Sequence, residues 1–340
     1  MSFRMGKWLA FCGLAVSLLA LAGCEGNGVD LSRSVVVEGT VQTLSSRQAN
    51  LSAVSSGGVS AYLDGQKVAI GGIFGGRYRV TVPLQGHSEA TAVITATFAL
   101  GGQPRMWRHK TIVRLRVRER TTAEINPTTT LATAALEVSD NNVPSWLDIQ
   151  AFNQAQQAVQ GQNVNQVDFS RDEAIRNSLP VMLVVTSNPS NARVQIGNQP
   201  QQNQTPLIIR TGLQGGQTLT VQVSHQGTVS NQQITTTLSK SITLKSRGST
   251  PVHFDFTPQI VSEPSLQNGL LTLQAKNVGS VNERVIVQFN ETPVVSTITN
   301  VNAEGIATIS TQVPSGISGQ VQVRVQNAVF KSAPVTVEIQ

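Results

Sequence analysis

Cysteine is nearly absent: the 340 residues contain two, Cys12 and Cys24. That excludes a disulfide framework and a Cys-x-x-Cys metal site. Aromatic residues make up 4% and charged residues 13% of the chain, both low for a soluble enzyme. The four histidines, His87, His109, His225 and His253, are scattered with no i,i+4 pair, and neither His-Glu-x-x-His nor Gly-x-Ser-x-Gly occurs. A dispersed triad could still assemble in space, which keeps a hydrolase as a distant alternative. The reading is nevertheless a protein that is not an enzyme and holds no cofactor or metal. The acidic dyad Asp172-Glu173 falls at a predicted helix start, where it complements the helix dipole. Glycine pairs at 71–72, 75–76 and 101–102 lack a following Gly-Lys and read as hairpin turns rather than phosphate cradles. Beyond the first two dozen residues no apolar run reaches the roughly twenty residues needed to span a bilayer.

What is present begins at the N-terminus. Arg4 and Lys7 precede an apolar run from Trp8 to Leu21, and small residues lead to Cys24. This is the pattern of an exported leader, too short and wrongly flanked for a spanning helix. The ending Leu21-Ala22-Gly23-Cys24 resembles the lipobox of bacterial lipoproteins. The resemblance implies cleavage between Gly23 and Cys24 and acylation of Cys24, which anchors the chain to a membrane. Glu25, where an Asp would imply inner-membrane retention, points by the same resemblance to the outer membrane of the cell envelope. Loss of residues 1–23 removes Arg4 and Lys7 and lowers the formal net charge from +6 by two, to +4. It also removes Cys12, leaving Cys24 as the sole mature cysteine. Residues 24–34 are polar and carry glycine, as a tether does.

Strand signals recur from residue 35 to 125. Gly58 to Gly65 reads as a strand entering an Asp-Gly turn, and Gly75 to Val82 as a turn followed by an alternating strand. Val-Glu-Gly-Thr-Val (37–41), the Asp-Gly turn and Gly-Arg-Tyr-Arg-Val resemble the carboxypeptidase regulatory-like sandwich. Residues 126–180 change character. Asn126-Pro127-Thr128 opens one predicted helix; Ser145 is the expected N-cap of a second, with Asp148 as its acidic partner; Ser170 is the expected cap of a third running to Leu179. These helices read as too short and polar for a large core, and as a joint or a layer packed on a neighbouring sandwich.

Residues 181–257 return to strands. Their Ser-Asn-Pro-Ser-Asn-Ala-Arg-Val stretch, followed by Thr205-Pro206-Leu207 and a Gly-rich turn, resembles a PEGA-type domain, with Asn191 where that pattern has glycine. Residues 258–340 contain Val313-Pro314-Ser315-Gly316 ahead of an alternating strand with Val321, Val323 and Val325, and resemble an immunoglobulin-like IPT/TIG domain. The expected fold is mainly β: tandem immunoglobulin-like sandwiches with a short helical segment between the first and second.

The densest chemistry lies between residues 105 and 120. Arg105, Arg108, Lys110, Arg114, Arg116, Arg118 and Arg120 are seven of the chain's 25 basic residues. A strand over 111–118 would turn Val113, Leu115 and Val117 inward and set Arg114, Arg116 and Arg118 in a ladder on the other face. Like charges about 7 Å apart repel unless acids or counter-ions lie beside them. The ladder reads either as a patch for anionic lipid, phosphate or an acidic partner, or as a solvated face that blunts an edge strand. Trp107, Trp146, Tyr62 and Tyr78 are expected in cores or domain contacts, while the Gln/Asn-rich stretch 195–204 could hydrogen-bond glycans or neighbouring chains, or equally just keep a surface wet. Together these features imply a lipid-anchored envelope protein that binds or scaffolds a protein partner, with a glycan- or peptidoglycan-binding adhesin-like role as the alternative. Nucleic acid is not an expected partner.

Overall fold

The computed structural model describes residues 33–43, 54, 56–100 and 105–340. The leader, the Gly23–Cys24 cleavage site, nearly all of the tether and the glycine pair at 101–102 lie outside the described residues.

Seven strands form the first sheet: β1 (Ser34–Thr40), β2 (Ser56–Leu63), β3 (Gln66–Phe74), β4 (Arg77–Pro83), β5 (Glu89–Ala99), β6 (Met106–Arg116) and β7 (Arg120–Thr122), in the order β6-β5-β2-β3-β4-β1-β7. All neighbours are antiparallel except β1 and β7. Val37, Val80, Val82, Phe98, Val113 and Leu115 share one core, so the sheet is rolled around it. Its two edges approach closely enough for the Thr121 hydroxyl to donate to the Arg114 carbonyl at 3.5 Å. The sandwich is therefore one continuous sheet folded over. Asp64 and Gly65 both take positive φ, 48° and 78°, as the two-residue hairpin between β2 and β3 requires. Gly71 and Gly72 sit inside β3 instead of in a turn. A Cβ at Gly71 would lie 2.4 Å from the Arg79 carbonyl oxygen, so close strand approach explains that glycine.

Three helices follow: α1 (Pro127–Leu136), α2 (Ile149–Val159) and α3 (Asp172–Asn177). Asn126 caps α1 in a reciprocal box with Thr129. Asp148, not Ser145, caps α2, accepting from Gln150 N at 2.9 Å. Ser145 is used elsewhere: its N–H donates to Asp64 Oδ1 at 2.7 Å and its carbonyl accepts from Thr91 N at 2.6 Å. Ser170 does not cap α3 either, because its hydroxyl donates to Asp168 Oδ1.

The second β unit comprises β8 (Met182–Asn188), β9 (Arg193–Ile196), β10 (Gln199–Gln204), β11 (Leu207–Ile209), β12 (Thr218–Val229), β13 (Gln232–Thr243) and β14 (Ser249–Asp255). A three-stranded sheet, β11-β8-β14, faces a four-stranded one, β10-β9-β12-β13, across Leu183, Val185, Val194, Val221, Val223 and Phe254. Asn191 holds a φ of 67°, so the position that favours glycine is filled by a residue that tolerates the left-handed region.

The helices do form a large core. Leu131, Ala135, Leu136, Phe152, Phe169 and Ile175 are buried against Val93 and Ile112 of the first sheet and Met182 and Val184 of β8. α1 is buried nearly throughout although three of its four threonines are among the buried residues, because each buried hydroxyl is hydrogen-bonded; the Thr133 hydroxyl, for instance, donates to Thr129 O at 2.8 Å. One helical layer thus joins two β units.

The last unit contains β15 (Gln259–Ile260), β16 (Ser265–Gln267), β17 (Leu270–Lys276), β18 (Arg284–Phe289), β19 (Thr292–Val301), β20 (Ile306–Gln312), β21 (Gly319–Gln326) and β22 (Val335–Ile339). The first part of β19 pairs with β18 and its end with β20, after a register shift between Ile298 and Asn300. A strand that changes sheets at a bulge is how a sandwich turns its corner. Val321, Val323 and Val325 are buried and Gln320 and Gln322 exposed, as the alternation requires. The fully buried Asn327 locks this unit to the one before, donating to Phe256 O at 2.6 Å and Asn277 O at 2.8 Å. Beside it Val229 and Ile234 pack on Ile286. Among the described residues no helix is long and apolar enough to cross a membrane.

Candidate functional site

The basic stretch lies on β6, an edge strand of the first sheet, and there the helical layer covers it. Lys110 N donates to Thr130 Oγ1 at 3.0 Å, the Thr129 hydroxyl donates to Lys110 O at 2.7 Å, and Arg108 N donates to Phe169 O at 2.9 Å. The free edge is thereby closed by α1 and by the segment before α3. Val113 and Leu115 face the core and Arg114 and Arg116 the opposite side. The strand ends at Arg116, however. Arg118 takes a φ of 69° in the following turn and Arg120 opens β7, so neither belongs to a ladder on β6.

Nor is the outward side of β6 an open cationic surface. The Lys110 side chain is 3% exposed, and its ammonium lies 3.1 Å from Glu137 Oε1, 3.1 Å from Asp172 Oδ1 and in contact with Asp140. Burial alone would lower this lysine, but the three carboxylates outweigh it and hold it above its ordinary range. Burial raises the Glu137 carboxyl, with Lys110 acting against it. Asp172 is lowered: burial opposes the shift, and the charges of Lys110 and Arg108 prevail. Arg108 reaches Asp172 Oδ2 at 2.5 Å, and Arg105 lies 3.7 Å from Asp168. Arg114 donates to Glu89 at 2.6 Å and to Ser145 O at 3.2 Å, while Arg116 Nε meets the other Glu89 oxygen at 3.1 Å. Asp172 therefore does more than complement a helix dipole. Five of the seven basic residues face carboxylates of this same chain. Arg118 and Arg120 have no ion pair among the described residues.

The same outer face of the rolled sheet continues, uncovered by helices, across β3, β4, β1 and β7. Ile70 and Phe74 are 76% and 77% exposed there. The Phe74 ring folds back along its strand, so that a Cβ on Gly72 would lie 2.6 Å from ring carbon Cε2. Beside the ring, Glu38, Thr40, Arg77, Arg79 and Thr122 line a shallow groove of about 590 Å³. Arg77, Arg79 and Glu38 form no ion pair among the described residues. Sequence reasoning missed this surface because Gly71-Gly72 reads as a turn. The available signal was apolar Ile70 and Phe74 in the outward phase of a strand.

A second groove, of about 600 Å³, lies on the second β unit and is lined by Arg193, Gln195, Asn203, Gln204, Gln222 and Ser224. It collects amides of the Gln/Asn-rich stretch on β9 and β10 beside Gln222 of the neighbouring β12. The histidines do not converge. His109 is fully buried among Phe98, Trp107 and Phe169, and burial lowers it to about 4. His253, also lowered by burial to about 4, contacts the Thr186 hydroxyl and the Leu136 carbonyl. His225 lies 3.3 Å from the Pro189 carbonyl and is likewise lowered by burial. Among the described residues no group of three or more His, Cys, Asp or Glu could hold a metal ion.

No family model matches the chain, and no curated protein matches it. Among solved structures, a DUF3823 family protein from Bacteroides uniformis is 12% identical, with 47% of this chain and 100% of that one covered and a TM-score of 0.19. A structure of a 1.5-MDa bacterial ice-binding adhesin is 8% identical over 90% of this chain and 98% of that one, with a TM-score of 0.18. The Bacteroides ovatus mixed-linkage glucan utilization locus protein SGBP-B, in complex with a mixed-linkage heptasaccharide, is 9% identical over 89% of this chain and 66% of that one, with a TM-score of 0.21. Likenesses this distant carry no functional argument, so function rests on the chain's own residues.

Proposed function

We propose that this is a lipid-anchored binding and scaffold protein of the bacterial cell envelope and not an enzyme. Cleavage after Gly23 exposes Cys24 for acylation, Glu25 directs the chain to the outer membrane, and the β units present their faces to a protein partner. The observation that carries this reading is the burial between units: the helical core on one side of the second unit and the Asn327 joint on the other. Units joined in this way hold their binding faces in fixed relation to one another, as a scaffold needs. The absence of convergence at His109, His225 and His253, which lie against rings and carbonyls, supports binding over hydrolysis.

The amide-lined groove of the second unit favours one further reading, a glycan or peptidoglycan ligand, since paired side-chain amides donate to and accept from sugar hydroxyls. Fractionation and crosslinking in living cells separate these ideas. With a leader that is cut independently of Cys24, Cys24→Ser should move the protein from the high-salt-washed membrane pellet to the soluble fraction, and crosslinks from the wild-type chain should identify a protein partner. A leaderless Cys24→Ser chain that resists the high-salt wash at the wild-type level contradicts the anchor. Crosslinks to glycan alone, lost on replacing Gln195 and Gln222 with Ala, would replace the protein partner by a sugar.

A further inference from the structure

We propose that the uncovered half of the first sheet's outer face, centred on Ile70, Phe74, Arg77, Arg79 and Arg120, lies against an anionic bilayer surface. The face is divided. Over β6 every outward charge from Arg108 to Arg116 meets a carboxylate of this chain. Across β4 and β7 three exposed arginines, Arg77, Arg79 and Arg120, outnumber the two acids in the same outward phase, Glu38 and the exposed Glu124, and form no ion pair among the described residues. Such an excess suits a surface of phosphate head groups, which the guanidinium fork binds in pairs. Ile70 and Phe74, four residues apart on one strand and so about 13 Å apart, add apolar contacts at the level of the head groups. β1 contributes Glu38 and Thr40 to this face and begins at Ser34. Arg33 lies nine positions after Cys24, a reach of at most about 30 Å. This proximity rests on the proposed acylation of Cys24; the charge and apolar composition of the face do not.

The test therefore uses the mature chain with Cys24→Ser and no acyl group, sedimented with vesicles of phosphatidylcholine alone or with phosphatidylglycerol. Binding to the anionic vesicles is expected, weakening as salt rises. At about five-fold per arginine near an anionic surface, Arg77→Gln, Arg79→Gln and Arg120→Gln together should reduce it on the order of a hundredfold. Phe74→Ser should weaken it at constant salt dependence, and Arg247→Gln with Arg284→Gln, exposed arginines on the other units, should leave it unchanged. Absence of sedimentation at low salt overturns the proposal, as does equal loss with the Arg247 and Arg284 pair. Retention on an acidic polysaccharide without vesicle binding would assign the face to a glycan instead. The acyl group on Cys24 is read separately by mass, so failure of the anchor and failure of this face are distinguishable.

Discussion

A lysine ammonium shielded to 3% exposure stays charged only where carboxylates replace the water it has lost, and Lys110 has Glu137, Asp140 and Asp172 around it. Truncating it leaves Glu137, itself buried, without its counter-ion. Lys110→Met should cost about 3–5 kcal/mol in urea denaturation, the penalty typical of breaking a buried pair. A loss below about 1 kcal/mol would mean that water already solvates the cluster. The buried histidines impose a second dependence. His109 and His253 are held near 4 by burial, below the ordinary value of 6.5, so the unfolded chain binds more protons than the folded one between those limits. Stability is complete above pH 6.5 and falls as pH drops toward 4, by on the order of 3 kcal/mol for each histidine. Depression of Asp172 adds a further loss below its unfolded value of 3.8. Urea midpoints at pH 7 and pH 4.5 check this; equal midpoints would contradict it.

At the scale of elements, α1 closes the exposed edge of β6 with hydroxyls rather than with another strand. Thr130→Val removes the acceptor of the Lys110 N–H and should destabilise the chain by about 1–3 kcal/mol, the cost of one unpaired buried donor. Thermal or urea unfolding of the variant provides the check, and a neutral effect would show that the edge needs no such closure. The depth of α1 was not legible in the sequence. A run of Pro, Thr and Ala carries little apolar signal, and burial becomes tolerable only because each buried hydroxyl, of Thr129, Thr130 and Thr133, finds a carbonyl or N–H partner. Its start was legible, since Asn126 ahead of Pro127 is a cap followed by a residue with no N–H to satisfy. Ser145 misled because tertiary contacts with Asp64 and Thr91 took its backbone and the helix began one turn later at Asp148. Alternation located the strands well, Val321 to Val325 being the plainest case. At Gly71-Gly72 it gave way to a turn reading, although close approach to Arg79 was the real reason for glycine.

At the scale of the molecule, the mainly β architecture follows from strand periodicity, whereas the use of its charges depends on closure over long sequence distances. Glu89, Glu137, Asp140 and Asp172 share no local spacing with β6, and only the docking of the helical layer brings three of them to Lys110. Five of the seven charges of the basic stretch are thus an internal fastening, whereas on the uncovered face Arg77 and Arg79 of β4 and Arg120 of β7 form no ion pair among the described residues. The same layer and the Asn327 joint connect all three β units, so the proposed anchor at Cys24 would carry the three units together. The proposed anchor is open to one direct measurement. Mass spectrometry of the N-terminal peptide from the membrane fraction should show a chain beginning at Cys24, with a thioether-linked diacylglycerol and an acylated amine. A peptide that retains residues 1–23, or one that begins at Cys24 with a free thiol, would contradict it.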